Sequence, residues 1–222
     1  MNLSGELLAA VFLGKITRWD DSALLMLNRQ TVLPYAQINV IHRSDSSDET
    51  WLFTQYLSAA SPDWKARIAA SPSVAWPVGI GATGNGGVLQ LVKETAGSIG
   101  YVDASFAFQN GLVSCAVLNR AGRAVKASPE SLSAAATTLA TAASPDFNAS
   151  ILDASGHGAY PIASLVWLAV REQLPDQDKR EAMRWFLGWM LNRGQPDGAA
   201  LGYGSLPAPL VGREQSLIDR VR

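Results

Sequence analysis

Residues 43–49, Arg-Ser-Asp-Ser-Ser-Asp-Glu, place one guanidinium, three carboxylates and three hydroxyls within seven positions. They follow the β-branched run Ile38-Asn39-Val40-Ile41-His42 and precede Thr50-Trp51-Leu52-Phe53-Thr54, so a strand is expected to enter a polar turn that launches a helix. Such a turn aims unpaired backbone N–H groups at one spot, and with an Arg alongside it is a physical recipe for holding an anion. Arg43 would add charge-assisted hydrogen bonds in a fixed fork. Asp48 and Glu49, however, stand where the anion would sit. The same residues also spell a helix cap, with Ser46 as N-cap and Glu49 reaching back to its N–H. A third use of Asp45, Asp48 and Glu49 would be a metal site, but His42 and His157 occur in unrelated contexts, as a strand-end and a loop residue.

The flanking elements can be placed from periodicity and punctuation. Leu7, Leu8, Val11 and Phe12 share one helical face, with Ser4 as N-cap and Gly14 as stop. Asp21-Ser22 opens a second helix through Leu24, Leu25 and Leu27, and Ser61-Pro62 opens another with Pro at its first position. Short strands are expected at 97–102 and 112–118. Between those two lies a helical turn at 104–109. Ser128-Pro129-Glu130 caps an Ala/Thr-rich helix running from Leu132 to about Ala142. Ile162 to Val170 is continuously apolar, which predicts a central strand buried on both faces. Asp176 to Asn192 carries Ala182, Trp185, Phe186, Trp189 and Met190 at helical spacing, predicting a core-facing helix that Gly194 ends. A last helix starts near Pro209. Strands alternating with helices argue an α/β fold.

Other candidates are weaker. Trp76-Pro77-Val78-Gly79-Ile80-Gly81-Ala82-Thr83-Gly84-Asn85-Gly86-Gly87 lacks the Lys-Ser/Thr ending of a phosphate loop and has no clear preceding strand. It reads as a turn where glycines permit positive φ and close approach of the helix beginning near Val88. Cys115 stands alone in an apolar run, so no disulfide framework exists and a small buried hydrophobe is expected. No Gly-x-Ser-x-Gly elbow or nucleophile–His pairing is present, which argues against an enzyme.

A length of 222 residues suits one large or two small domains. A net charge of -1 gives no electrostatic reason to expect nucleic acid as a partner. Neither a charged-then-apolar leader pattern nor a run of about 18 apolar residues occurs. Met1 to Gly5 leads almost directly into a helical pattern, as would suit a fragment beginning inside a larger protein.

Five stretches in order carry a resemblance: Leu13-Gly14-Lys15-Ile16-Thr17-Arg18-Trp19-Asp20, Arg43-Ser44-Asp45 at its strand-to-helix turn, Trp76-Pro77-Val78-Gly79 with Gly84-Asn85, Gly97-Ser98-Ile99-Gly100-Tyr101-Val102, and Tyr160-Pro161-Ile162. Together they resemble the periplasmic phosphate-binding protein of the bacterial phosphate ABC importer. The resemblance implies a two-lobed periplasmic-binding-protein fold of type II, each lobe a mixed sheet flanked by helices. It covers the later two-thirds of the family, so the first lobe would be incomplete. Residues 1–159 would form mostly the second lobe, and 160–222 the return strand and C-terminal helices of the first. The family's turn runs Arg-x-Asp-Gly-Ser-Gly-Thr. By position Arg43 would bind phosphate, Asp45 would orient Arg43 and Ser47 would donate its hydroxyl. Ser46, Asp48 and Glu49 replace the two glycines and the threonine, so Asp48 and Glu49 enter the ligand-contact positions as carboxylates. The expected partners are inorganic phosphate or a related oxyanion and an ABC permease, with no cofactor and a periplasmic or cell-envelope location. An alternative is a sensor or protein-interaction domain that kept the fold and lost the ligand. A homodimer through exposed lobe surface is the remedy expected for an incomplete lobe.

Overall fold

The computed structural model describes residues 1–140 and 150–222. In chain order the elements are β1 (Asn2–Leu3), α1 (Gly5–Phe12), α2 (Ser22–Leu27), β2 (Asn39–Arg43), α3 (Asp48–Ala60), α4 (Pro62–Arg67), β3 (Ile80–Ala82), α5 (Gly84–Glu94), β4 (Ser98–Ile99), α6 (Ala104–Gln109), β5 (Ala116–Leu118), β6 (Ala124–Val125), α7 (Pro129–Ala140), α8 (Gln177–Leu191), α9 (Gln195–Ala200) and α10 (Ala208–Ile218). The expected α/β class holds. One sheet has the order β3-β2-β4 with both pairings parallel; the other has the order β1-β5-β6, parallel then antiparallel.

Local chemistry explains why α1 starts and stops where the sequence predicts. The Ser4 hydroxyl accepts from the Leu7 N–H at 3.1 Å. At the other end Gly14 takes φ +71°, and the Gly14 and Lys15 N–H groups close back on Val11 and Ala10 carbonyls. Two otherwise unpaired carbonyls are thereby satisfied, as only a residue free of the Cβ penalty does cheaply. α4 begins as expected, with Pro62 in its first turn and the Ser61 hydroxyl accepting from the Trp64 N–H.

The parallel sheet positions the site. Its central strand β2 has Val40 and Ile41 buried, and α1, α3 and α4 cover the neighbouring core. That core is aromatic: Phe53 meets Phe12 edge-on at 4.8 Å and stacks on Tyr101 at 4.6 Å. Trp76 stacks on His42 at 5.0 Å. Such pairs add about 0.5–1.5 kcal/mol each beyond area burial. His42 is thus a packed strand residue, as expected, and His157 is an exposed loop residue.

Four expectations on the fold need correction. Residues 162–170 form no strand, and Val166 and Leu168 are 78% and 58% exposed. A strand exists only with a hydrogen-bonding neighbour, and among the described residues none lies beside this run. Helix α8 forms as predicted but buries no residue; Trp185 is 71% exposed. It lies against α10, yet part of its apolar stripe stays open, with Phe186 exposed as well. The strands expected at 97–102 and 112–118 contract to β4 and β5, leaving Val113 exposed and Cys115 half-buried outside β5. The glycine-rich stretch, read as having no clear preceding strand, contains β3, hidden because its three residues include Gly81. The expected end of the Ala/Thr-rich helix at 142 lies outside the described residues.

Candidate functional site

β2 and β3 are adjacent and parallel, with Arg43 opposite Ala82. Each runs out of the sheet into a helix at the same end: β2 into α3, β3 into α5. Two strand-to-helix turns therefore sit side by side, where the N-termini of both helices project positive potential.

Arg43, the last residue of β2, is 8% exposed. Burying a guanidinium is tolerable only when it is paired and hydrogen-bonded, and here it is. Its Nε donates to Asp45 Oδ1 at 2.8 Å and its Nη2 to Asp45 Oδ2 at 2.5 Å, a two-point clamp. Its Nη1 donates to Glu49 Oε2 at 2.9 Å. Those bonds use three of the five N–H donors a guanidinium carries. The Asp45 hydrogen bonds, opposed by burial and reinforced by the charge of Glu49, raise the Arg43 pKa further. Asp45 in turn accepts from the Gly84 N–H at 3.1 Å. Hydrogen bonds first from Arg43 and then from Gly84 hold its carboxyl well below the ordinary range.

Glu49, in the first turn of α3, is held on both oxygens. Besides Arg43 on Oε2, Asn85 Nδ2 donates to Oε1 at 2.9 Å. Asn85 is fixed in that pose because its side-chain carbonyl accepts from the Asp103 N–H at 3.1 Å. Partial burial pushes the Glu49 carboxyl up, but Asn85, its own backbone N–H, Ser47 and Arg43 outweigh it and leave the pKa lowered. The predicted cap is therefore off by one. Ser47, not Ser46, is the N-cap: its hydroxyl accepts from the Thr50 N–H and donates to Thr50 Oγ1, both at 3.0 Å. Glu49 does not reach back to Ser46, because a buried guanidinium is a stronger partner than a neutral N–H.

Of the five residues nominated from sequence, the structure brings Arg43, Asp45 and Glu49 into one cluster, with Ser47 beside it as cap. Asp48 is exposed and stands apart. Residues that sequence reasoning missed are Asn85 and Gly84, from the neighbouring turn, and Tyr101. The Tyr101 hydroxyl accepts from the Arg43 N–H at 3.2 Å and lies 2.7 Å from Thr50 Oγ1. Gly84-Asn85 and Tyr101 stood in the motifs quoted above; what the spacing hid was the β2–β3 adjacency that joins them to Arg43. Among the described residues no His, Cys, Asp and Glu group could hold a metal ion, and no helix is long and apolar enough to cross a membrane. The arrangement seats a carboxylate: the protein's own Glu49 lies against the Arg43 guanidinium and the Asn85 amide.

Comparison with known proteins bears on what such a seat is for. The model of the PBP superfamily domain matches residues 1–193. The phosphate-binding protein PstS of Xylella fastidiosa is 41% identical over 211 residues, covering 95% of this chain and 58% of that protein. The PstS of Methanocaldococcus jannaschii is 36% identical, covering 93% of this chain and 58% of its own length. The chain thus spans less than two thirds of these relatives. Among solved structures, a high-affinity periplasmic phosphate-binding protein bound with phosphate superposes with a TM-score of 0.68 at 21% identity, covering 96% of this chain and 64% of that one. The phosphate-binding protein of Stenotrophomonas maltophilia superposes at 0.64 and 20% identity, covering 97% and 64%. At such identities the likeness is one of fold.

Proposed function

The chain belongs to the PBP superfamily, and from that membership we propose that it is the phosphate-binding, or closely related oxyanion-binding, part of an ABC import system. The observation that carries this is the buried Arg43 guanidinium, clamped by Asp45 at the end of β2 and facing the N-terminus of α3. A fixed guanidinium beside helix N–H groups is what a tetrahedral oxyanion needs on one side. The names of the PstS relatives point to phosphate as the ligand. Arg43 binds it, Asp45 orients Arg43, and Ser47 and Glu49 border it at the helix N-terminus, with the exposed Asp48 outside that ring. Residues 160–222 belong to the opposite lobe in this scheme. An ABC permease in the cell envelope is the partner in this scheme, with the binding protein on its periplasmic side.

One feature favours a second reading. The Glu49 carboxylate already satisfies Arg43, which suits a domain that kept the fold and dispensed with the ligand. Calorimetric titration with inorganic phosphate separates the two. Saturable heat at one site, lost in Arg43→Met, supports phosphate binding. No heat and no thermal shift at millimolar phosphate favours the ligand-free domain. At a ligand concentration of 100 Kd the expected gain in stability is about 2.7 kcal/mol, large enough to read as a shift in Tm.

A further inference from the structure

We propose, on the basis of the oxyanion reading above, that Glu49 is an internal stand-in for the ligand and Asn85 the residue that seats it, so that an oxyanion gains Arg43 only as the Glu49 carboxylate leaves or takes up a proton. The Glu49 carboxylate receives hydrogen bonds from a guanidinium on one oxygen and an amide on the other, both at 2.9 Å. That is how an incoming oxyanion would itself be held. Asn85 comes from the adjacent strand-to-helix turn and is braced by the Asp103 N–H, so the stand-in is built by two separate elements and is not an accident of one rotamer. The Glu49 side chain is 28% exposed, while Arg43 is nearly buried; the carboxylate can swing away and the guanidinium cannot.

The surroundings decide where the displaced charge goes. Around Glu49 stand Arg43 and Asp45 from the β2 turn, Ser47 as the cap of its own helix, Asn85 from α5, and Tyr101 from the stretch between β4 and α6, with the Asp103 backbone behind Asn85. Arg43 is the sole cation in that set. Once a ligand holds Arg43, Glu49 has the Asp45 carboxylate and an oxyanion for company, and it either turns to solvent or takes a proton from the medium. Phosphate binding is therefore coupled to proton uptake, and affinity rises as pH falls into the carboxylate range. Glu49 acts in this way as a specificity-determining residue and Asn85 as a positioning residue.

The test is calorimetry on the full chain with inorganic phosphate between about pH 6 and about pH 4, where the ligand keeps one charge, in buffers of different ionisation enthalpy. The wild-type chain is expected to bind more tightly by about tenfold at the acid end, with measurable proton uptake. Glu49→Gln is expected to bind about ten- to a hundredfold more tightly than wild type at the upper pH, with a flat profile. Asn85→Ala should fall between them. If Glu49→Gln does not fold, Glu49→Thr takes its place. In the wild-type chain, carbon NMR of the Glu49 carboxyl should show its midpoint rising when phosphate is added. Phosphate binding with equal affinities and equal pH profiles in all three proteins, or an unmoved Glu49 midpoint, overturns the stand-in and leaves the phosphate site standing. Absence of phosphate heat in every variant overturns both.

Discussion

Arg43 and Asp45 form a unit in which the half-exposed carboxylate makes the burial of the guanidinium tolerable, and the unit has a pH signature. Asp45 and Glu49 both have carboxyls held below their ordinary values in the folded chain. A depressed folded pKa contributes stability that is present above the unfolded value and lost as pH falls through the folded one. The cluster should therefore stabilise the fold fully at pH 6 and above, and lose that contribution below about pH 4. Thermal melts from neutral to acid pH should show the loss in the wild-type chain and a shallower decline in Asp45→Asn, which has no carboxyl to protonate there. Equal slopes for the two proteins would mean that Asp45 carries none of the acid sensitivity. Gly97 makes a separate residue-scale case. It sits at φ +69°, and a Cβ there would lie 2.6 Å from the Gln37 carbonyl oxygen. Its own carbonyl accepts from Asn39 N–H and from Trp19 Nε1, so the backbone cannot shift freely. Gly97→Ala should cost about 2 kcal/mol or more in denaturant unfolding, through both the left-handed strain and the clash.

At the scale of elements, what the sequence predicts well is whatever local chemistry decides. Ser4 and Gly14 bound α1, Pro62 opens α4, and β2 runs into α3 where a β-branched run meets a polar turn. What it misplaces is decided by neighbours distant in sequence. Ser46-Ser47-Asp48-Glu49-Thr50 offers two caps, Ser46 with Glu49 and Ser47 with Thr50, and locally they are close in energy. Arg43 breaks the tie by taking the Glu49 carboxylate. Ser47→Ala should consequently cost about 1 kcal/mol, whereas Ser46→Ala should be nearly neutral; the reverse order in a denaturation series would restore the predicted cap. The pairing of β2 with β3 was illegible for a similar reason. Three residues, one of them glycine, carry no periodicity, yet their register is what delivers Gly84 to Asp45 and Asn85 to Glu49. For 162–170 and α8 the sequence carries the apolar pattern but not the burial, because burial belongs to a pair of surfaces and the sequence shows one.

For the molecule as a whole, that unpaired surface is the main physical consequence. Val166, Leu168, Trp185 and Phe186 are exposed, and the chain spans 58% of the length of relatives that share its fold. Burying apolar area is worth about 25 cal/mol per Å², so a large side chain left in water forgoes about 1.5–3 kcal/mol. Association with another surface recovers that energy without changing anything near Arg43, and a second copy of the chain is one surface always available. Sedimentation equilibrium of this chain should accordingly show weight-average mass rising with concentration. The double substitution Trp185→Gln with Phe186→Ser should reduce that rise. It should hardly lower Tm in the dilute monomer, since α8 buries no residue whose loss would open a cavity. A chain that stays monomeric at every concentration would refute association through this face. A variant that melts much earlier would mean that α8 packs more closely in solution than its exposed stripe implies, and the stripe would then be core rather than interface.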